Sequence, residues 1–267
     1  YKSLKEMKNG RYKQIIFSLQ FIFILLQNDL STYKNQIHLI IQGNGNQTFL
    51  SNKFNFIPSK VFVNGIERND CKKHCILKGD KSNITLEYNY QINTCQEMFQ
   101  NLLNIIEVDL TDFDASKVTE MNFTFSDCNN LEKIKLGNID TSSVETLAGA
   151  FQLCSKLKSI DFSNLDFSKV TNMGFMFNGC TKLENIAFRN INTSSLKNVY
   201  SIFDGCSSLI SLDLSYFDFS KTTLMTSMFS GCINLIKINF GNINTSSVQV
   251  MSYLFSSCTK LETINLS

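Results

Sequence analysis

FSDCNNLEKIKLGNIDTSSVETLAGA (125–150) and FNGCTKLENIAFRNINTSSLKNVYSI (177–202) carry the same residue types at the same places. They belong to one series. Cys128, Cys154, Cys180, Cys206, Cys232 and Cys258 stand 26 residues apart, and Phe99, Phe125, Phe151, Phe177, Phe203, Phe229 and Phe255 keep the same step. No insertion breaks the register between Phe99 and Ser267, so residues 99–267 hold six full units and a partial seventh cut at Ser267. A fixed period of this length is the mark of a solenoid. One unit cannot bury its apolar side alone, so neighbours must stack and put like side chains above like. Stacking at about 4.8 Å turns each repeated Phe, Leu or Ile into a column of the core.

Each unit reads as two halves. Leu131, Ile134 and Leu136 follow L-x-x-I-x-L, with equivalents Leu157, Ile160, Phe162 and Leu235, Ile238, Phe240. The last two of each set alternate, which predicts a short strand facing the core. In the second half, Val170, Met173, Met176 and Phe177 recur at spacings of 0, 3, 6 and 7. That spacing predicts one face of a helix, reaching Cys180 a turn later. Ser116, Ser142, Ser168, Ser194, Ser220 and Ser246 precede the stripe, where a Ser hydroxyl can cap the helix start. An Asp or Asn two residues earlier (Asp114, Asn192) favours the turn that ends the strand. A second rhythm doubles the first: Lys117, Lys169 and Lys221 alternate with Ser143, Ser195 and Ser247. This row of Lys, about 10 Å apart, is either a solvated edge left by duplication or a contact for a repeating ligand.

The unit C-x-x-L-x-x-I-x-L resembles leucine-rich repeats. It is more closely similar to the BspA-like repeats of bacterial and protist surface proteins, including those of Mycoplasma, whose consensus reads much like CSSLISLDLSYFDFSKTTLMTSMF (206–229). The chain departs from ordinary leucine-rich repeats at Phe113, Ile139, Leu165, Ile191, Phe217 and Ile243, which stand where an inward Asn would bond adjacent loops. The resemblance implies adhesion or protein recognition rather than catalysis. The expected fold is therefore an α/β solenoid: a leucine-rich-repeat-like stack of 26-residue strand–helix coils with a parallel β-sheet. A small β-rich N-terminal cap over 30–98 precedes it, because the first coil would otherwise expose its columns. The cap contains HLIIQ (38–42), KVFVNGI (60–66) and NITLEY (83–88) as strands, with a turn at Asn64-Gly65.

The six repeat cysteines read as buried thiols, acting as small hydrophobes with weak hydrogen bonds to the adjacent turn. Cys71, Cys75 and Cys95 lie outside the repeat, and one disulfide from Cys95 to Cys71 or Cys75 would pin the cap. Cys71-Lys72-Lys73-His74-Cys75 has the look of half a zinc site but lacks a fourth ligand, so no metal is assigned.

Residues 1–29 hold five cations before position 14, then IIFSLQFIFILL at 15–26. This matches the charged and apolar regions of a secretory signal, with an uncleaved anchor or a core segment as alternatives. The secretory readings place the rest at the cell surface or outside the cell, touching a membrane only through an anchor. Residues 14–267 hold 20 basic and 22 acidic groups, and a near-neutral body argues against nucleic acid. Two His, no Trp and no G-x-S-x-G or Gly-rich phosphate loop leave no catalytic constellation and no cofactor box. The expectation is a non-catalytic scaffold that binds an extracellular protein or glycan through the outward side chains of the sheet. Its candidate residues are Asp109, Lys133, Lys135, Asp161, Arg189, Asp213 and Lys237. Asp109, Lys135 and Asp161 alternate in sign on successive strands, which also stabilises strand pairing by a few tenths of a kcal/mol. The alternative is a purely structural spacer of a larger, membrane-anchored surface-coat protein, which a run ending in mid-coil favours.

Overall fold

The structure is a computed structural model, and it describes residues 35–266. The proposed signal or anchor segment at 15–26 lies outside the described residues. Within the unit Asn35–Ser267, the repeat winds as a β-solenoid. Its strands are β7 (Ile105–Asp109), β8 (Lys133–Lys135), β9 (Ser159–Asp161), β10 (Asn185–Ala187), β11 (Ser211–Asp213), β12 (Lys237–Asn239) and β13 (Thr263–Asn265). Each paired neighbour is parallel and offset by one repeat, as in Val108 opposite Ile134, Ile160 opposite Ile186 and Leu212 opposite Ile238. The predicted alternation holds. Ile134, Ile160 and Leu212 are buried, while Lys133, Lys135, Ser159, Asp161, Ser211 and Asp213 are exposed.

The expected strand–helix coil is overturned: among the described residues no helix occurs. The second half of each unit is a run of tight turns that bonds upward to the next coil. Met121, Phe123, Phe125 and Asp127 donate their N–H groups to the carbonyls of Thr146, Ala148, Ala150 and Gln152 at 2.8–3.0 Å. The residues between them bond within the coil, three positions back: Thr124 to Met121, Ser126 to Phe123, and Cys128 to Phe125 beside them. A helix would send every N–H four residues back; here alternate donors leave for the neighbouring coil. The backbone achieves this by left-handed residues in two columns, for example Phe123 (φ 53°) with Asp127 (φ 61°), and Gly149 (φ 62°) with Leu153 (φ 59°). The apolar stripe at spacings 0, 3, 6 and 7 is thus met by turns three residues apart. Val170, Met173, Met176, Phe177 and Cys180 are all fully buried.

The Ser before the stripe is not a helix cap. Its backbone N–H donates to the side-chain oxygen two residues earlier, as in Ser142 to Asp140, Ser168 to Asp166 and Ser194 to Asn192 (2.8–3.0 Å). The predicted Asx turn is therefore the working part of that motif.

Columns fill the interior. The Phe rings at the repeat stack face to face from Phe99 to Phe255, with centroids 5.3–5.8 Å apart and planes within 16°. Each buried Phe contributes about 1.5–3 kcal/mol by removal from water, and ring pairs add about 0.5–1.5 kcal/mol. The cysteine column runs alongside as free thiols, as expected. Cys128, Cys154, Cys180, Cys206, Cys232 and Cys258 each donate Sγ–H to the carbonyl of the Phe 29 residues earlier, at 3.0–3.2 Å. That carbonyl lies in the coil before, so the thiol ties two coils while occupying the space of a small apolar side chain.

The doubled rhythm is also structural. Thr119, Thr171 and Thr223 bond the preceding coil's carbonyl through their hydroxyls. The strand ladder is hydrogen-bonded as β7–β8, β9–β10 and β11–β12–β13, with breaks after every second coil up to β11. Bridges on the opposite side run unbroken from Thr94 through Glu120, Thr146, Asn172, Asn198 and Leu224 to Val250.

The N-terminal cap is β-rich, with β1 (Gln36–Gln42), β2 (Gly45–Thr48), β3 (Lys60–Val63), β4 (Ile66–Glu67), β5 (His74–Leu77) and β6 (Lys81–Glu87). Asn64 and Gly65 have φ of 51° and 81° and form the predicted two-residue turn between β3 and β4. The cap joins the solenoid through β1, which pairs antiparallel with both β6 and β7. One mixed sheet, β4-β3-β6-β1-β7-β8, therefore crosses from cap to coils. Ile37, Leu39 and Ile41 point into the same core as the first Phe columns. The disulfide differs from expectation: it links Cys71 to Cys75, whose Cα atoms are 4.9 Å apart, and Cys95 is a buried free thiol. Five residues joined at a turn bring these two sulfurs together locally, whereas Cys95 sits at the first turn of the solenoid and packs in its core.

The turn arm makes a specific demand at Gly149. A Cβ there would lie 2.4 Å from the Phe123 ring, whereas one at Gly45, also left-handed, would meet nothing. Gly149→Ala is expected to cost about 2–4 kcal/mol in denaturant unfolding, from backbone strain plus overpacking. Gly45→Ala should cost about 1 kcal/mol from strain alone. Equal costs would contradict the close approach of the two coils.

Candidate functional site

Strand geometry sets what the face can offer. Successive side chains point to opposite sides, so each short strand spends its centre on the core and presents its two ends to solvent. Glu107 and Asp109 stand opposite Lys133 and Lys135 on the next strand. They pair directly: Lys135 Nζ lies 2.8 Å from Asp109, and Lys133 Nζ 3.7 Å from Glu107. Three of the sequence-derived candidates, Asp109, Lys133 and Lys135, are thus one cluster. Asp109 also accepts the Thr111 N–H at 3.0 Å. Partial burial pushes the Asp109 carboxyl up, but hydrogen bonds from Lys135 and Thr111 and the Lys135 charge outweigh it, leaving it lowered to about 2. The same contact raises the Lys135 ammonium.

The remaining candidates follow along the face without converging on one point. Asp161 is exposed and accepts the Ser163 N–H at 2.8 Å. Hydrogen bonds from Ser163 hold its carboxyl below the usual range, partial burial opposes them, and the Arg189 charge adds to the lowering. Asp213 accepts from Ser215 and from the Asn239 amide, both at 3.0 Å, and Asn265 in turn donates to Asn239 at 2.8 Å. Arg189 and Lys237 are exposed on this face. The alternation of charge therefore acts first between β7 and β8, where both pairs form; Lys135 makes no such pair with Asp161, and Arg189 and Lys237 make no ion pair among the described residues.

The cap adds residues that the sequence reading did not single out. A groove of about 280 Å³ opens where β6, β1, β7 and β8 run side by side, lined among others by His38, Asn83, Thr85, Glu107, Asp109 and Lys135. His38 Nδ1 and the Thr85 hydroxyl are 3.0 Å apart, and His38 Nε2 lies 3.5 Å from Asp112. The alternating burial of QIHLIIQ, which puts His38 and Ile40 outward, was readable. Its pairing with a strand nearly seventy residues later was not.

Burial also sets the state of the thiols. Burial pushes the Cys180 and Cys232 thiols up to about 12, and the Cys154 and Cys206 thiols are raised for the same reason. Such thiols are neither nucleophiles nor metal ligands at neutral pH. Asp70, Cys71 and Cys75 bring ligand atoms within 4.8 Å of one another, but the two sulfurs are bonded together and Asp70 is held by Arg68 at 2.7–2.8 Å.

The Asp109 cluster fixes a sign for the acid response. A carboxyl lowered on folding contributes stability that is present above its ordinary pKa near 3.9 and lost as pH falls through the folded value. For Asp109 that window runs from about pH 4 down to about 2. Melting temperatures measured across this range should fall more steeply for the native protein than for Asp109→Asn; parallel curves would contradict the clamp.

A family model described as "Mycoplasma protein of unknown function, DUF285" matches residues 93–211 and again 185–267. No curated protein and no solved structure matches the chain. The two matches together take in the whole solenoid and most of the chain, and the chain belongs to this family.

Proposed function

We propose that this family member is a non-catalytic binding scaffold, displayed outside the cell or at its surface, which engages a protein or glycan through the exposed face of the repeat sheet. The observation that carries the reading is a pair of exposed cations on the later coils, Arg189 just after β10 and Lys237 at the start of β12, on coils held in register by the unbroken bridges of the turn side. A repeat scaffold holds such side chains at fixed spacing with little entropy left to lose on binding. The surface placement rests on the charged and apolar opening of the chain and on its similarity to BspA-like repeats; membrane contact would come only through an anchor. Nucleic acid is a poor partner for a face that carries Asp109, Asp161 and Asp213 among its cations.

A second reading has its own support. The Lys133–Glu107 and Lys135–Asp109 pairs and the Asp213–Asn239–Asn265 amide row satisfy much of the face internally. This favours a structural spacer within a larger surface-coat protein.

Charge reversal separates the two. The triple variant Lys135→Glu, Arg189→Glu and Lys237→Glu should lower binding to immobilised mucin and fibronectin by about tenfold or more, equivalent to at least 1.4 kcal/mol. Its Tm should be checked alongside, because Lys135→Glu faces Asp109; Lys135→Gln serves where folding suffers. Unchanged binding, or no binding by the native protein, would leave the spacer reading.

A further inference from the structure

We infer that the groove between cap and solenoid is a subsite for a neutral, hydroxyl-rich sugar of an extracellular glycan. The inference rests on the binding reading above and names the ligand chemistry of one end of the same face.

Each ammonium in or beside the groove already meets a carboxylate, Lys135 with Asp109 at 2.8 Å and Lys133 with Glu107 at 3.7 Å, and the His38 ring lies 3.5 Å from Asp112. An incoming phosphate or carboxylate would have to displace one of these, and an incoming cation would have to compete for the same acids. A sugar hydroxyl does neither. It donates to the carboxylate and accepts from the ammonium, adding to each pair without breaking it.

Further polar groups line the groove. The Asn83 side-chain amide has no partner among the described residues and is exposed at the groove wall, offering a donor and an acceptor together. The Thr85 hydroxyl stands next to it on the same strand face, two residues on, set by its contact with His38.

Ile40 lies half-buried between these polar walls, opposite Asn83 on one side and Glu107 on the other. It provides the apolar floor that the C–H face of a pyranose ring needs. The ladder shifts register at Ile40 and Ile41, and such irregularities bend a strand locally. A volume of about 280 Å³ suits a small polar ligand rather than a protein side. An extended peptide cannot add here as an extra strand, because β1 is already paired on both edges.

A printed glycan array carrying neutral and acidic glycans tests this with the intact protein. The native protein should bind neutral glycans and gain nothing from sialylated or sulfated ones. Asn83→Ala and His38→Ala, alone and combined, should lower that signal by about tenfold or more, while their melting temperatures stay near that of the native protein. Asn83→Gln, which lengthens the side chain into the groove, is a second probe and should also weaken binding. Absence of neutral-glycan binding, preference for acidic glycans, or indifference to all three substitutions would overturn the inference. The broader reading stands or falls separately: mucin or fibronectin binding that survives enzymatic removal of glycans, and that falls only in the Lys135, Arg189 and Lys237 reversal, keeps the face and discards the groove, whereas binding unchanged by that reversal discards the face.

Discussion

The structure depends on backbone groups of one coil finding their partners in the next. A buried N–H or C=O must be paired, and a coil of this length holds too few residues in any one direction to satisfy itself. The turn arm solves this by alternation. Met121, Phe123, Phe125 and Asp127 bond forward to the following coil, while their neighbours bond back within their own. Parallel strands do the same on the other arm. Once coils are tied in this way, identical positions are forced into columns, and the side chains must be of a kind that stacks on its own copy. Phe does so by ring stacking at 5.3–5.8 Å. Cys does so by being small and by giving its weak donor to the coil before. The left-handed residues are a consequence of the alternation, and in coils where they are not Gly the strain is held by the packing around them.

Much of this could be read from the chain itself. The period fixed the solenoid, the Phe and Cys columns, the strand register and the outward side chains, because all of these follow from stacking alone. The expected helix rests on spacing alone, and spacing of three and four residues is shared by successive tight turns. The signal against a helix was present in the residues. Gly149, Gly174, Gly179, Gly205 and Gly231 fall inside the supposed helical stretches, each costing about 1 kcal/mol there. Gly179, Gly205 and Gly231 share one left-handed column with Asn101 and Asp127, residue types that tolerate it. The Cys71–Cys75 link and the β1–β7 pairing were out of reach for different reasons. The first depends on a local turn among three eligible cysteines, and the second joins segments far apart in sequence with no shared pattern.

The candidate site shows a similar division. The face and its charged residues followed from strand alternation, and Asp109, Lys133 and Lys135 do form a cluster. What the chain did not reveal is that these charges are spent largely on each other, and that the cap contributes His38, Ile40, Asn83 and Thr85 to the same surface. Those pre-formed pairs are what the proposed preference for hydroxyls over ions rests on. The thiols of the interior are raised by burial, most of them fully closed to solvent and Cys258 partly so.

The central claim is that coils are interchangeable because each bonds to the next at an offset of one repeat. Excision of residues 151–176, one whole period of 26, should leave a folded protein with the native far-UV circular dichroism shape and protected amides in hydrogen exchange, at a lower Tm. Excision of residues 151–174 instead, which ends two residues short of the period, should scramble every column beyond the cut and lose protection there. Equal tolerance of the two deletions, or collapse of both, would contradict the account.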